Sequence, residues 1–149
     1  MHRAMEKRRG RPWFAEAEKA IAEEQAGEFA STEELVANVQ RQIPLYFHRW
    51  EGNEQVGRQL AADFGKSEPL HHFNTVEFPT LDLRDELRTI TAPTLVVAAE
   101  DDMICGPVIA EAIVGELADV RLVRIPESGH FAYIEQPAAF RAALIDCLL

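Results

Sequence analysis

The chain has 149 residues, 47% of them hydrophobic and 8 of them Phe, enough apolar material for the core of one ordinary globular domain. Its net charge of -10, from 25 acidic against 15 basic residues, opposes nucleic acid or an anionic membrane as a partner. The longest apolar runs are strand-sized, the N-terminus is charged, and two cysteines, Cys105 and Cys147, cannot build a disulfide framework. The expectation is a cytoplasmic chain with reduced thiols, without a leader or a membrane span.

Residues 1–11 carry Arg3, Lys7, Arg8, Arg9 and Arg11, read as a solvated helix or frayed start because the remainder is acidic. Pro12 suits a first helical position, and Trp13, Phe14, Ala17, Ala20, Ile21 and Glu24 recur at helical spacing, predicting a helix to about Gln25 that Gly27 ends. Ser31-Thr32-Glu33-Glu34 reads as a capping box, in which the Ser31 oxygen and Glu34 satisfy backbone donors reciprocally. The helix it opens carries Leu35, Val36, Val39 and Ile43. Pro44 lacks an amide hydrogen and should kink or restart that helix, ahead of the aromatic-rich stretch from Leu45 to Trp50. A third helix is predicted over Glu54 to Phe64, with Val56, Leu60, Ala61 and Phe64 apolar and Gly65 as its stop.

His71-His72 is not read as a metal site, because adjacent side chains diverge and no further ligand stands at a recognisable spacing; no metal and no cofactor are expected. From Phe73 to Arg84 the Phe and Leu residues are assigned to the core and Asp82 with Arg84 to a surface or interdomain pair, followed by a short helix from Asp85 to Ile90. Thr94 to Ala99 is a continuous apolar run of strand length, the pattern of a strand buried on both faces. Pro107 opens a helix whose Val108, Ile109, Ala112, Ile113 and Leu117 should face the sheet. Leu122 to Ile125 is the next strand, and Pro137 starts a final helix with Phe140, Leu144 and Leu148 on one face. Strand, helix, strand, helix implies parallel pairing by a right-handed crossover.

In such sheets, ligands and catalytic groups collect at the carboxyl ends of the strands. The first strand here runs into Glu100-Asp101-Asp102, and the second into a loop with a lone His130. A carboxylate after one strand and an imidazole after the next can form an orienter and a general base. Taken singly, Asp102 is also a turn or helix-capping carboxylate ahead of Pro107, and His130 a loop histidine. Neither Cys105 nor Ser128 reads as a nucleophile: nothing puts Cys105 on a strained elbow, and Ser128 lies too close in sequence to His130.

Several stretches together resemble the C-terminal half of an α/β-hydrolase, and more narrowly its proline iminopeptidase-like branch. They are Ile90-Thr91-Ala92-Pro93-Thr94-Leu95-Val96-Val97, Glu100 to Pro107, Gly129-His130-Phe131 and Ile134-Glu135-Gln136-Pro137. The likeness runs from about Phe73 to Leu149. It implies a partial α/β-hydrolase fold, with residues 1–72 as a helical cap-like segment and 73–149 as the C-terminal part of the core, holding a two-strand parallel β-α-β-α unit. The family's triad runs Ser, then Asp or Glu, then His, with Ser on a G-x-S-x-G elbow. The resemblance makes Asp102 the acid and His130 the base; Ala99 stands where Gly is usual, and the spacing is kept. The nucleophile is missing: the serines are Ser31, Ser67 and Ser128, none in that motif, and there is no His-Gly-Gly oxyanion loop. In the iminopeptidases the cap holds acids for the substrate's free amine, and Glu51 and Glu54 beside Trp50 are the first cap carboxylates to test, although any single acid in so acidic a chain is more readily a solvated one.

Three functions follow. The chain is the C-terminal portion of a serine hydrolase, an aminopeptidase or esterase, inactive alone; or a half-fold subunit completed by a partner chain; or a non-catalytic binding module. A small-molecule or peptide substrate enters only with the missing half, and epoxide hydrolases and dehalogenases share equivalents of Asp102 and His130 while using an Asp nucleophile. An apolar sheet edge left without its neighbour should make the chain self-associate.

Overall fold

The computed structural model describes residues 5–26, 29, 31–64 and 72–148, with side chains omitted at Phe64, Asn74, Thr75 and Leu148. By its contacts the chain forms two compact units, one of Met1–Lys7, Tyr46–His48 and Asp82–Leu149, the other of Arg8–Leu45 and Arg49–Leu81.

The helical unit is built on α1 (Phe14–Ala26), α2 (Thr32–Gln42) and α3 (Glu54–Phe64). Helix α1 begins two residues after Pro12, because Phe14 N first closes a turn on Arg11 O at 3.0 Å. Phe14, Ala17, Ala20 and Ile21 are buried on α1, and Leu35, Asn38, Val39 and Gln42 on α2. Ser31 caps α2, its Oγ accepting from Glu34 N at 3.2 Å. The two buried amides are satisfied: Asn38 Nδ2 donates to Ala20 O at 2.9 Å, and Gln42 Nε2 to Asn38 Oδ1 at 2.5 Å and to Glu24 Oε2 at 2.8 Å. At Pro44 the helical path tightens into a 3-10 turn, Ile43–Tyr46, as a missing donor requires. The expected helix stops Gly27 and Gly65, and His71, lie outside the described residues.

Residues 73–81 depart from expectation. Phe73–Glu77 is a single π turn closed by Phe78 N donating to Phe73 O at 2.8 Å, and Phe78 is 65% exposed. Phe73 and Leu81, and Leu83 just beyond, are exposed too, so these apolar residues are not core. The turn brings the Phe73 and Phe78 rings to 5.9 Å of each other, but leaves both exposed. Asp82 and Arg84 form the expected surface pair, and Arg84–Thr89 is a 3-10 turn.

The second unit holds β1 (Thr94–Ala99), α4 (Pro107–Glu116), β2 (Val120–Ile125), the one-turn α5 (Ala132–Glu135) and α6 (Pro137–Leu148). The strands pair in parallel from Thr94 opposite Val120 to Ala99 opposite Ile125. The core sits at their C-terminal ends, where Ala99, Ile125 and Ala132 are buried against Val97, Val123 and Phe140. Toward its start β1 is only half-buried, although Leu95, Val96 and Val97 are the residues of an interior strand. The helices show the same deficit. On α4 only Ala110 is buried, Ile113 is half-buried, Ala112 is exposed, and Val108 and Ile109 are 78% and 47% exposed; on α6 the buried residue is Ala143 and Leu144 is exposed. Two strands are too narrow to cover helix faces of this width, so the apolar stripes read from the sequence extend past the sheet that should receive them.

The N-terminal basic stretch is not simply solvated. Arg8 is buried, and Lys7 forms an ion pair with the buried Asp101.

Candidate active site

Parallel pairing brings the ends of β1 and β2 side by side and extends them into the loops: Glu100 N donates to Ile125 O at 3.0 Å and Asp101 N to Ser128 O at 2.9 Å. Across this junction His130 Nδ1 lies 3.1 Å from Asp102 Oδ2. A carboxylate only accepts, so Nδ1 carries the proton and Nε2 is left with its lone pair. The other oxygen, Oδ1, accepts from Ile104 N at 2.8 Å and Cys105 N at 3.2 Å. The turn-capping role and the histidine-orienting role, alternatives in the sequence, are thus held by two oxygens of one side chain. Burial by itself would push the Asp102 carboxyl up, but the His130 hydrogen bond and charge and the two amides outweigh it and hold the group below the usual carboxylate range.

The imidazole is framed by aromatic rings and by chain distant in sequence. Tyr46 presents its ring edge-on to His130 with centroids 5.6 Å apart and stacks on Phe131 at 6.0 Å. His130 N donates to Tyr46 O at 2.6 Å. Glu135 Oε2 accepts from both Gly129 N at 2.7 Å and His48 N at 3.0 Å. Gly129 is required here: a Cβ would overlap the Tyr46 carbonyl and come within 2.8 Å of His48 N. Beside this pair stands a second one, His48 Nδ1 at 2.6 Å from Asp101 Oδ2, with Lys7 on the other Asp101 oxygen. Burial would raise the Asp101 carboxyl, and the hydrogen bonds from Lys7 and His48 bring it below the ordinary value.

The other sequence candidates lie elsewhere or are committed. Ser128 is fully buried with its Oγ on the Gly129 carbonyl. Ser31 is the α2 cap, and Ser67 is outside the described residues. Burial and the Asp102 charge push the Cys105 thiol up, opposite to what a nucleophile needs. In the helical unit Glu51 pairs with Arg11 at 3.3 Å, and Glu54 accepts from Gly52 N at 2.9 Å, where backbone amides hold its carboxyl below the ordinary value. His72 meets Glu77 at 3.4 Å on the surface, and among the described residues no three His, Cys, Asp or Glu side chains are arranged for a metal. No helix among them is long and apolar enough to cross a membrane. Asp102 also borders a hollow of about 650 Å³ with Met103, Ile104, Pro107 and Arg124, which His130 does not line.

A family model described as the alpha/beta hydrolase family matches residues 2–143. The chain belongs to the alpha/beta hydrolase family. Among its relatives are a proline iminopeptidase of Levilactobacillus brevis, 37% identical over 76 residues covering 48% of this chain and 25% of that protein, and a pimeloyl-[acyl-carrier protein] methyl ester esterase of Nitrosospira multiformis, 34% identical over 43% of this chain and 24% of that one. The enol-lactonase of Burkholderia xenovorans LB400 shares the fold with a TM-score of 0.66 at 23% identity, over 92% of this chain and 50% of the other. This alpha/beta hydrolase chain therefore spans about half the length of such a solved relative and aligns with about a quarter of the curated ones. Its architecture is a partial alpha/beta-hydrolase fold, a helical segment followed by a two-strand parallel β-α-β-α unit.

Sequence reasoning reached Asp102 and His130 but not Tyr46, His48, Asp101 or Glu135. Glu135 stands inside a stretch that carried the family likeness, yet no spacing rule gave it a part. The segment Tyr46–His48 lies more than eighty residues from the loop it supports, beyond the reach of local patterning.

Proposed function

We propose that this chain is the C-terminal portion of an α/β-fold serine hydrolase, a proline iminopeptidase-like aminopeptidase or an esterase, working in the cytoplasm, with the serine and oxyanion donors supplied from outside residues 1–149. The observation that carries the reading is the Asp102 Oδ2 to His130 Nδ1 hydrogen bond of 3.1 Å at the carboxyl ends of paired parallel strands. The iminopeptidase and esterase among the relatives support the substrate class, an N-terminal peptide bond or an ester.

In that role Asp102 fixes the tautomer and stabilises the imidazolium as it forms. His130 Nε2 takes the serine hydroxyl proton as the oxygen attacks the carbonyl carbon, and returns it to the departing amine or alcohol. In the second half it takes a proton from water as the water oxygen attacks the acyl carbon, and returns that proton to the serine oxygen as the acyl–serine bond breaks. The 149-residue chain alone has base and orienter but nothing for them to activate, and is inactive.

The test begins with the DNA upstream of codon 1, where an in-frame G-x-S-x-G is expected. The chain so extended should hydrolyse p-nitrophenyl acetate or a proline p-nitroanilide and lose roughly 10⁴-fold or more on His130→Ala. The 149-residue chain should show no saturable turnover above its His130→Ala variant. A His130-dependent rate from the short chain that a fluorophosphonate blocks would overturn the reading. So would an upstream stop codon with no elbow before it, which would leave completion by a partner chain.

A further inference from the structure

We infer that Glu135 is a positioning residue for His130, acting by clasping the histidine loop to the Tyr46–His48 segment, which His48 in turn ties to the acid loop through Asp101. The inference rests on the reading of Asp102 and His130 as orienter and base, and extends it to what keeps them in register. A hydrogen bond between two loop residues at 3.1 Å holds an imidazole only if both loops are themselves fixed. Past the end of β2 at Ile125, Glu127 has a left-handed backbone, φ 50°, and the strand pairing carries on only as far as Ser128, whose carbonyl accepts from Asp101 N at 2.9 Å, two residues short of His130.

What fixes it is a seam. One carboxylate oxygen, Glu135 Oε2, takes the amides of Gly129 and His48 together, and the adjacent amide of His130 is taken by Tyr46 O. Neutral acceptors would satisfy these amides; a carboxylate shared by both sides also pulls the two segments together, through hydrogen bonds about twice as strong as neutral ones. The seam leaves no space between its sides, since Gly129 has no room for a side chain and Phe47 is fully buried with its ring 5.1 Å from Phe131. The far end of the same three-residue segment is anchored at His48 Nδ1, 2.6 Å from Asp101 Oδ2, and Asp101 is the immediate neighbour of Asp102. The acid loop and the base loop are therefore each held to one strap. Glu135 is only six residues from Gly129, on α5, so its hold on the histidine loop is local in sequence, whereas its hold on His48 spans 87 residues.

The experiment uses the whole chain, in whatever assembly it adopts, with ¹⁵N-labelled histidine. His130 is assigned by His130→Ala, and the spectra are recorded at alkaline pH. The wild type should show two distinct ring-nitrogen shifts, protonated at Nδ1. In Glu135→Ala the two shifts should converge as the tautomers mix, and the His130 amide should exchange with solvent about tenfold faster or more, the factor for losing a charge-assisted hydrogen bond. Glu135→Gln keeps an accepting oxygen without the charge and should restore both readouts in part. Gly129→Ala, which opens the seam with Glu135 intact, should reproduce the Ala signature. If Glu135→Ala does not fold, Glu135→Asp serves, since the shortened carboxylate cannot reach both amides and should shift both readouts part-way. Wild-type ring shifts in Glu135→Ala (or Glu135→Asp) and Gly129→Ala, with or without a lowered melting temperature, would reduce Glu135 to a structural residue and overturn the inference. A wild-type ring protonated at Nε2, or already mixed, would instead overturn the Asp102–His130 reading itself.

Discussion

Replacing Asp102 by Ala and by Asn separates the two duties of its oxygens. Ala removes the acceptor for Ile104 N at 2.8 Å, for Cys105 N at 3.2 Å and for His130 Nδ1 at 3.1 Å. The His130 side chain is 32% exposed, so water can meet its Nδ1 proton, whereas the two amides belong to a turn built around a carboxylate only 8% exposed. Leaving a buried donor without a partner costs about 1–3 kcal/mol, and partial hydration of the opened turn brings the two amides to a combined cost of about 3 kcal/mol. Asn keeps one oxygen for both amides and offers its NH₂ to the histidine, so only the charge assistance goes, about 1 kcal/mol. The difference of about 2 kcal/mol should appear as a lower urea midpoint for Asp102→Ala than for Asp102→Asn, followed by far-ultraviolet circular dichroism at pH 7 and one fixed chain concentration. Because the Asn amide must donate to Nδ1, the same variant should move the His130 proton to Nε2. Equal midpoints, within about 0.5 kcal/mol, would mean that the turn does not depend on Oδ1, and the assignment of its two oxygens would fall.

The carboxyls of Asp101 and Asp102 both sit below their ordinary values in the folded chain, so their contribution is present above the unfolded carboxyl value near pH 4 and is lost as pH falls through the lower folded values. The urea midpoint should therefore drop from about pH 4 downward, and Asp101→Asn with Asp102→Asn should flatten that slope; an unchanged slope would contradict it. The half-buried β1 and the exposed Ile109 and Leu144 should drive self-association, read as a light-scattering mass above that of one chain, and a strict monomer would contradict it. Ser31→Ala removes the cap on Glu34 N and should cost about 1 kcal/mol of helical-unit stability, seen in the melting of the circular dichroism signal.

Where one short stretch determines the outcome, the sequence was sufficient. Glu54–Phe64 and Thr94–Ala99 fall at the expected residues because a polar start and a single apolar pattern act within a dozen positions. The juxtaposition of Asp102 and His130 was legible too, since each stands in a loop after its own strand, with the family resemblance choosing Asp102 among the three acids, and the structure brings the two to 3.1 Å. What depended on a distant partner was not. Phe73, Phe78, Leu81 and Leu83 are apolar enough for a core but stay exposed, the two Phe rings meeting each other at 5.9 Å, and Val108 and Ile109 lie on a helix wider than the two strands beneath it. Lys7 was read as solvated because the carboxylate it meets, Asp101, is 94 residues away. The Tyr46–His48 seam combines both problems, a long separation and main-chain acceptors that no side-chain pattern reports.

The buried amides of the helical unit have a mechanical consequence. Between α1 and α2 the contact includes Ala17 and Ala20, whose small, uniform surface would let one helix slide along the other with little loss of packing. Asn38 and Gln42 prevent this. A slip of one turn, about 5.4 Å, would take Asn38 away from the Ala20 carbonyl and Gln42 away from the Glu24 carboxylate, at roughly 1–3 kcal/mol each, while the Gln42–Asn38 bond within α2 would move with its helix. The alanines make the surface smooth and the amides make it notched, so the helix pair seats in one position and would shear only in steps of a whole turn, each of them uphill.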